Sequence, residues 1–496
     1  MSGTTVQEIT EVKTPFDWKR WVFILGGLAL FALIYYSPAW PDAIDPKGEH
    51  FVLSTQAKGA LAVFAVAATW WIFEVVPIGV TSLLIGTLQA LFLIRKPAVA
   101  FKDYMDPSVL FIFGSVVIGM VFTKTGLTRR IAYKMLSIIG EKTSMIMLGC
   151  FVMTALLTHV MAHTAVAATM FPLLMAIYSL YTTEKTPTNF GKCLFMGMAY
   201  VAGAGSIVTL LGAARGAVAL GFYKDMMNVD ISFGTLTYYM FPLGWLMVFL
   251  LWGFFMIFCK PEKARIVGLK EKASRMYREL GGITRNEILA ATIILLAVLV
   301  IALKSFVPAL ENLDKTGILL CSTIAFFVFN ILKIEDLEDI PWNIILLFAG
   351  AMSIGFCLWE TGAAKWLAVN WLVLFQKAPA IVFILGMAFF VLIMTNFIMN
   401  VAAIAISLPV ALVIAPYLGV AGEVILFSAL ATAGMPFLLL IGAAPNAIAY
   451  NSKQFTTGEF LKFGILASIL LMVVLWLFVA FVWPMMGMEV FVPRAV

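Results

Sequence analysis

Apolar residues run along this chain in blocks, each about the length of a bilayer-crossing helix and each closed by a short polar or basic stretch. A span needs about 20 apolar residues. On that measure crossings are expected at 19–38, 59–76, 78–94, 109–126, 190–222, 239–259, 287–303, 316–332, 342–361, 421–452 and 460–483, eleven in all. Two further runs, 143–181 and 379–416, are too long for one crossing and break at polar centres, THVMAHT at 158–164 and TNFIMN at 395–400. Both are expected to be re-entrant hairpins that enter and leave on one side. The expected fold class is an all-α polytopic membrane protein with two such hairpins.

The pattern repeats. LLGAARGAV at 210–218 returns as LIGAAPNAI at 440–448, placing glycine, proline and a cation or amide inside apolar runs. FGSVVIG at 113–119 with KTG at 124–126 returns as AGAMSIG at 349–355 with ETG at 360–362. Amphipathic stretches at 127–140 and 363–377 follow, suited to the membrane interface. Pro172 of the first hairpin matches Pro409 of the second, which aligns His163 with Asn400. An odd number of crossings separates equivalent elements, so the two repeats have inverted topology. The expected layout is an N-terminal segment and first helix (1–58), repeat one (59–259), a basic linker (260–286), repeat two (287–483) and a tail (484–496). Helices broken at membrane depth are tolerated only where they line a cavity. Two breaks at matching places predict a transporter-type binding site, at 190–222 and 421–452.

Composition agrees. Of 496 residues 62% are hydrophobic and 12% charged, with mean hydropathy +1.01. The net charge of +6 is no nucleic-acid footprint, because the basic residues fall between apolar runs. Lys260, Lys263, Arg265, Lys270, Lys272, Arg275, Arg278 and Arg285 face three glutamates in one loop, which the positive-inside rule makes cytoplasmic. Lys13, Lys19 and Arg20 put the N-terminus on the same side, and the C-terminus then lies outside. Arg95, Lys96 and Lys102 land outside against the rule. The five cysteines are scattered singly and are expected to be packing residues, with no disulfide framework and no metal site.

At these motifs the chain resembles the divalent-anion:sodium symporter family of di- and tricarboxylate carriers, from 59 to 483 in order and spacing. In that family each hairpin tip carries Ser-Asn-Thr and each broken helix a Gly-Thr-Pro-Pro-Asn-like turn; tips and turns hold sodium and substrate carboxylates. Here the tips read Ala162, His163, Thr164 and Met399, Asn400, Val401. The turns carry Gly212, Ala213, Arg215 and Gly442, Ala443, Asn446. The resemblance implies that His163, Thr164, Ala213, Arg215, Asn400, Val401, Ala443 and Asn446 bind substrate, and that Asn400, Gly442 and Asn446 frame one sodium site. It also implies a homodimer working as an elevator, in the inner membrane of a bacterium. No cofactor is expected beyond that sodium ion.

The departures carry their own chemistry. Arg215 replaces a turn residue with a fixed cation, and His163 titrates near neutrality in water. A cation that stays when the substrate leaves disfavours movement of the empty carrier, so exchange of a dicarboxylate such as succinate is expected. Sodium-coupled symport of a dicarboxylate, citrate, sulfate or sulfonate is the alternative. The duller readings are an Arg215 that pairs with a carboxylate or snorkels, and a His163 that merely packs. His159 and His163, four apart, also suit a channel or a membrane enzyme, but no third ligand or nucleophile accompanies them. Glu74 and Glu360 are the remaining carboxylates near membrane depth, and Gly203, Gly205, Gly114 and Gly119 are expected at close helix contacts.

Overall fold

The computed structural model describes residues 17–44, 50–73, 75–182, 186–303, 307, 310, 312–375, 379–397 and 400–494. Glu74 and the tip residue Met399 lie outside them. The chain is helical nearly throughout, with one two-residue antiparallel ribbon pairing Ala43 with Phe51 and Ile44 with His50. Among the described residues eight helices are long and apolar enough to cross a membrane: five fall on expected crossings, three (His163–Tyr181, Ala380–Phe397 and Asn400–Leu418) belong to the expected hairpins, and four shorter apolar helices accompany them.

Helix starts at the membrane surfaces are marked by caps. Ser54, Asp106, Thr188, Ser232, Asp314 and Thr456 each accept from a backbone N–H of the first turn. At Gly126 and Gly362, both at φ +83°, the chain turns from a long helix into the next element. These two glycines are repeat mates, and a left-handed residue is needed at each.

The long-range bonds separate the chain into two ends. Lys124–Asp336, Arg130–Glu287, Lys192–Glu459 and Arg20 Nε to the Val75 carbonyl gather one end. Arg95–Glu360, Trp366 Nε1 to the Pro41 carbonyl and the Ala421 N–H to the Val490 carbonyl gather the other. Each joins positions that eleven crossings place on the same side. Two bonds join the repeats: the Gly79 N–H donates to Asn343 Oδ1 at 2.8 Å, and Thr316 Oγ1 donates to the Pro107 carbonyl at 2.9 Å.

Of the three basic residues that offend the positive-inside rule, Arg95 is buried and neutralised, while Lys96 and Lys102 are exposed. Arg95 contacts Asp103 at 2.5 Å and Glu360 at 2.8 Å, and Gln89 bridges it to Ser353. A cation matched by two carboxylates carries little topological weight. Glu360 and its mate Lys124 each clip a long helix of one repeat to the other repeat's loop. Expectation fails at the cysteines: Cys193 and Cys259 form a disulfide, Cα–Cα 6.2 Å, across 66 residues. Helix packing brings them together, which single spacing does not reveal. Gly203 and Gly114 do mark close contacts, where a Cβ would lie 2.7 Å from the Gly434 oxygen and 2.9 Å from Leu319 Cβ.

Candidate functional site

Both hairpins form, and each tip docks on the unwound turn of a broken helix. The first has arms Thr143–Thr158 and His163–Tyr181, and its broken helix runs Asn189–Gly205, then Arg215–Met227. The His163 N–H donates to the Gly212 carbonyl at 3.0 Å, and its ring Nδ1 lies 3.2 Å from the same oxygen. A carbonyl only accepts, so Nδ1 carries a proton in that contact. Thr209 Oγ1 donates to the His159 carbonyl at 2.8 Å. Gly212 permits the approach: a Cβ there would meet the Thr158 and Ser206 carbonyl oxygens at 2.5 and 2.7 Å. Neither Ala162 nor Ala214 supplies a side-chain cap, so the helices starting at His163 and Arg215 lack the side-chain acceptor found at the surface starts.

The second half-site repeats the plan with amides. Its hairpin arms are Ala380–Phe397 and Asn400–Ile414, and its broken helix runs Gly422–Ala433, then Ala444–Tyr450. Asn396 Oδ1 accepts from the N–H groups of Leu438 and Leu439 at 2.8 and 3.0 Å, while its Nδ2 donates to the Leu392 carbonyl at 2.7 Å. Asn446 Nδ2 donates to the carbonyls of Pro436 (2.8 Å) and Leu439 (3.1 Å). Thr395 Oγ1 stands 3.0 Å from Asn400 Oδ1 and 3.1 Å from the Ala433 oxygen. A Cβ on Gly442 would lie 3.1 Å from Asn396 Cα and 3.2 Å from the Thr395 oxygen.

Arg215 belongs to both halves. It is 2% exposed, and Nη2 donates to Ser206 Oγ at 2.8 Å. A Cβ built on Gly434 would fall 2.7 Å from that same Nη2. Ser206 and Gly434 are the C-caps of Asn189–Gly205 and Gly422–Ala433. The guanidinium therefore stands where two half-helices present their negative ends, each equivalent to roughly half an elementary charge. Among the described residues no carboxylate lies within 4 Å of it, and Nη1 is buried without a hydrogen-bond partner. It neither snorkels nor pairs.

His163, Ala213 and Arg215 thus meet at the first turn, and Asn400, Gly442 and Asn446 gather at the second. Thr164 and Val401 follow the first residue of each returning arm, half-buried and buried, and Ala443 is partly buried in its turn. His159 turns elsewhere. It ends the first arm rather than sharing a helical face with His163, and its Nε2 accepts from Trp245 Nε1 at 3.2 Å. No cluster of three metal-ligating side chains occurs among the described residues. Asn396 went unrecognised in the sequence as a functional position. Its only signal was the repeat itself, since Thr158 and His159 align with Thr395 and Asn396.

Two cavities flank the hairpins at repeat-related places. One of about 750 Å³ runs along the first returning arm, lined by Gly119, Thr123, Lys124, Arg129, Ala165 and Thr169. The other, about 470 Å³, lies beside the second hairpin among Phe64, Phe383, Met387, Met394, Ile406 and Val410. The first is partly polar and charged, the second almost wholly apolar.

Residues 28–489 match the family model described as the sodium:sulfate symporter transmembrane region. The chain belongs to that family. It is a multi-pass membrane protein and a secondary transporter, not an enzyme. Among similar proteins, the sodium-dependent dicarboxylate transporter SdcS of Staphylococcus saprophyticus is 25% identical over 463 residues, 89% of each chain. SdcS of Staphylococcus aureus is 25% identical over 504 residues, covering 96% of this chain and 94% of that one. Solved structures that share the fold include the Alcanivorax borkumensis YdaH transporter (TM-score 0.57, 12% identity, 95% and 98% covered) and Neisseria gonorrhoeae MtrF (TM-score 0.53, 13% identity, 93% of each).

Proposed function

We propose that the chain carries a dicarboxylate such as succinate, held between the two hairpin tips, with Arg215 as a resident counter-charge. The supporting observation is a buried guanidinium with no carboxylate partner among the described residues. An uncompensated charge near the bilayer midplane costs at least ~2.5–3.5 kcal/mol. Helix ends offset part of that, and a dianion offsets the rest. The SdcS relatives are dicarboxylate transporters, in keeping with this substrate class. His163, Thr164, Ala213, Arg215, Asn400, Val401, Ala443 and Asn446 are the residues assigned to substrate.

The two halves couple differently on this reading. In the first, the His163 N–H groups fill the Gly212 carbonyl, an oxygen of the turn that the family resemblance assigns to a cation. Arg215 adds a fixed positive charge nearby. In the second, Asn400, Gly442 and Asn446 with the turn carbonyls frame one sodium ion. A resident cation disfavours movement of the empty carrier, which makes exchange the working mode. Sodium-coupled symport is the second reading, favoured by the amide-rich second half-site.

Repeat one (59–259) and repeat two (287–483) each contribute a hairpin and a broken helix that move together against the remaining helices, as an elevator in a homodimer. On this reading the N-terminus lies in the cytoplasm and the C-terminus outside a bacterial inner membrane, in keeping with the basic loop 260–286. The partly polar cavity beside Ala165 then lies toward the inner face, and the apolar one beside the second hairpin toward the outer face. The test is uptake of labelled succinate by proteoliposomes, with and without sodium and with and without internal dicarboxylate. Exchange requires internal anion. Sodium-driven uptake into anion-free vesicles rejects exchange, and no succinate flux under any condition rejects the substrate.

A further inference from the structure

We propose that helices Leu127–Ile139 and Leu269–Glu279 form a basic deck that binds the phosphate headgroups of anionic phospholipids. The two helices pack on each other, and buried bonds fix their height. Arg130 grips Glu287 through two nitrogens at 2.7 and 3.1 Å and donates to the Gly281 and Gly282 carbonyls. The Tyr277 ring lies under Arg130 and Lys134, with centroid distances of 5.9 and 5.2 Å. Beyond the first helix, the Thr143 N–H bonds the Ala264 carbonyl at 3.0 Å and the Ile266 N–H bonds Glu141 at 2.9 Å. The deck is thus tied both to the crossing helix Arg285–Leu303 and to the first arm of the hairpin.

Its charge is one-sided because cations outnumber the unengaged carboxylates: Glu271 is exposed with no cation within 4 Å among the described residues, and the others nearby are engaged. Glu262 accepts from the Asn189 N–H at 2.5 Å and from the Tyr181 hydroxyl at 2.8 Å. Glu141 Oε1 takes the Gly268 N–H at 2.7 Å, and Glu287 takes Arg130. Glu279 stands 3.6 Å from Arg275, with both side chains exposed. Arg129, Lys134, Arg265, Lys270 and Arg278 are exposed and have no carboxylate within 4 Å among the described residues.

Apolar side chains stand out among these cations: Ile138 is 70% exposed, Val267 83% and Ile283 60%. Exposed aliphatic groups beside lysine and arginine suit the boundary where acyl chains meet headgroups. A soluble acidic partner leaves the aliphatic groups in water, whereas a lipid satisfies both. Basic clusters next to a crossing helix attract anionic lipid at about 1 kcal/mol per cation.

The test uses the full chain in bilayers of mixed phosphatidylcholine and phosphatidylglycerol, with retained lipids counted by native mass spectrometry. Wild type is expected to retain phosphatidylglycerol over phosphatidylcholine. The variant K134Q/K270Q/R275Q/R278Q is expected to lose most of that preference, and R278Q alone to weaken it about fivefold, the ratio that ~1 kcal/mol represents. K96Q/K102Q, on the opposite face, keeps it. Equal retention of the two lipids, an unchanged preference in the fourfold variant, or replacement of lipid by nucleic acid or protein overturns the proposal. The binding readout is independent of the transported substrate.

Discussion

Arg215→Met keeps a long flexible side chain and removes the charge, and the site geometry gives two opposed outcomes. If the guanidinium serves only the helix ends at Ser206 and Gly434, its loss strips a counter-charge from the empty protein. Each such charge–dipole contact is worth ~0.3–1 kcal/mol, up to ~2 when partly buried. The variant then unfolds more readily by ~1–4 kcal/mol and still binds substrate. If Arg215 is held for a dianion, the empty protein is the strained one. Its single side-chain partner, Ser206, lies at 2.8 Å, and Nη1 has none. Methionine then leaves the empty protein as stable or more so, because the charge cost of at least ~2.5–3.5 kcal/mol disappears. The loss appears in binding instead: truncating one partner of a buried charge pair costs ~2–5 kcal/mol, or roughly 30- to 5,000-fold in Kd.

Thermal unfolding with and without succinate separates the two. At succinate about 100-fold above its wild-type Kd, wild type gains about 2.7 kcal/mol. Arg215→Met is expected to gain no more than ~0.9 kcal/mol at that concentration, with an unliganded midpoint at or above wild type. A variant that binds within about threefold of wild type, under ~1 kcal/mol, refutes the counter-charge reasoning.

Three further outcomes follow from single contacts. Asn396→Ala strands the part-buried N–H groups of Leu438 and Leu439; at ~1–3 kcal/mol for each unsatisfied group, it should destabilise the protein by ~2–6 kcal/mol and abolish transport, read by thermal unfolding and vesicle flux. Gly212→Ala puts a methyl against two backbone oxygens that cannot swing away, so ~1–3 kcal/mol of stability and most flux should be lost, whereas Gly253→Ala, with open space around it, should change neither. Glu262, outside the membrane, is raised by partial desolvation but lowered further by the N–H groups of Asn189 and Phe190 and the Tyr181 hydroxyl, leaving its carboxyl below the usual range. Its contribution, ~0.3–1 kcal/mol at a helix N-terminus, is present above the carboxylate range and lost as pH falls through the lowered value. Melting curves of Glu262→Gln and wild type should therefore differ at neutral pH and converge in acid.

The helix–turn–helix units and the broken helices were legible because each break sets glycine, proline or a polar residue inside an apolar run. Few other structures tolerate such a pattern. The repeat was legible for the same reason, since 210–218 and 440–448 repeat their spacing. What escaped depends on partners far along the chain. Arg95 looked like a misplaced topological signal until Glu360, 265 residues away, came beside it. Cys193 and Cys259 carry no spacing signature. Asn396 looked like one polar residue among several, because what it bonds is backbone, and backbone N–H groups are invisible in a pattern of side chains.

The two half-sites use the same scaffold and differ in what fills it. Glycine brings the hairpin backbone against the turn in both, at Gly212 and Gly442. In the second, amides satisfy the backbone: Asn396 takes two N–H groups and Asn446 serves two carbonyls. Amides balance hydrogen bonds without adding charge, so any positive charge there must arrive with a mobile ion. In the first, His163 occupies the Gly212 carbonyl and Arg215 brings a charge that cannot leave. A mobile ion adds its own gradient to the free energy of transport, while a tethered one only shapes the barrier. On the proposed reading, coupling therefore rests on the second half-site, and the first decides whether the unloaded carrier can return.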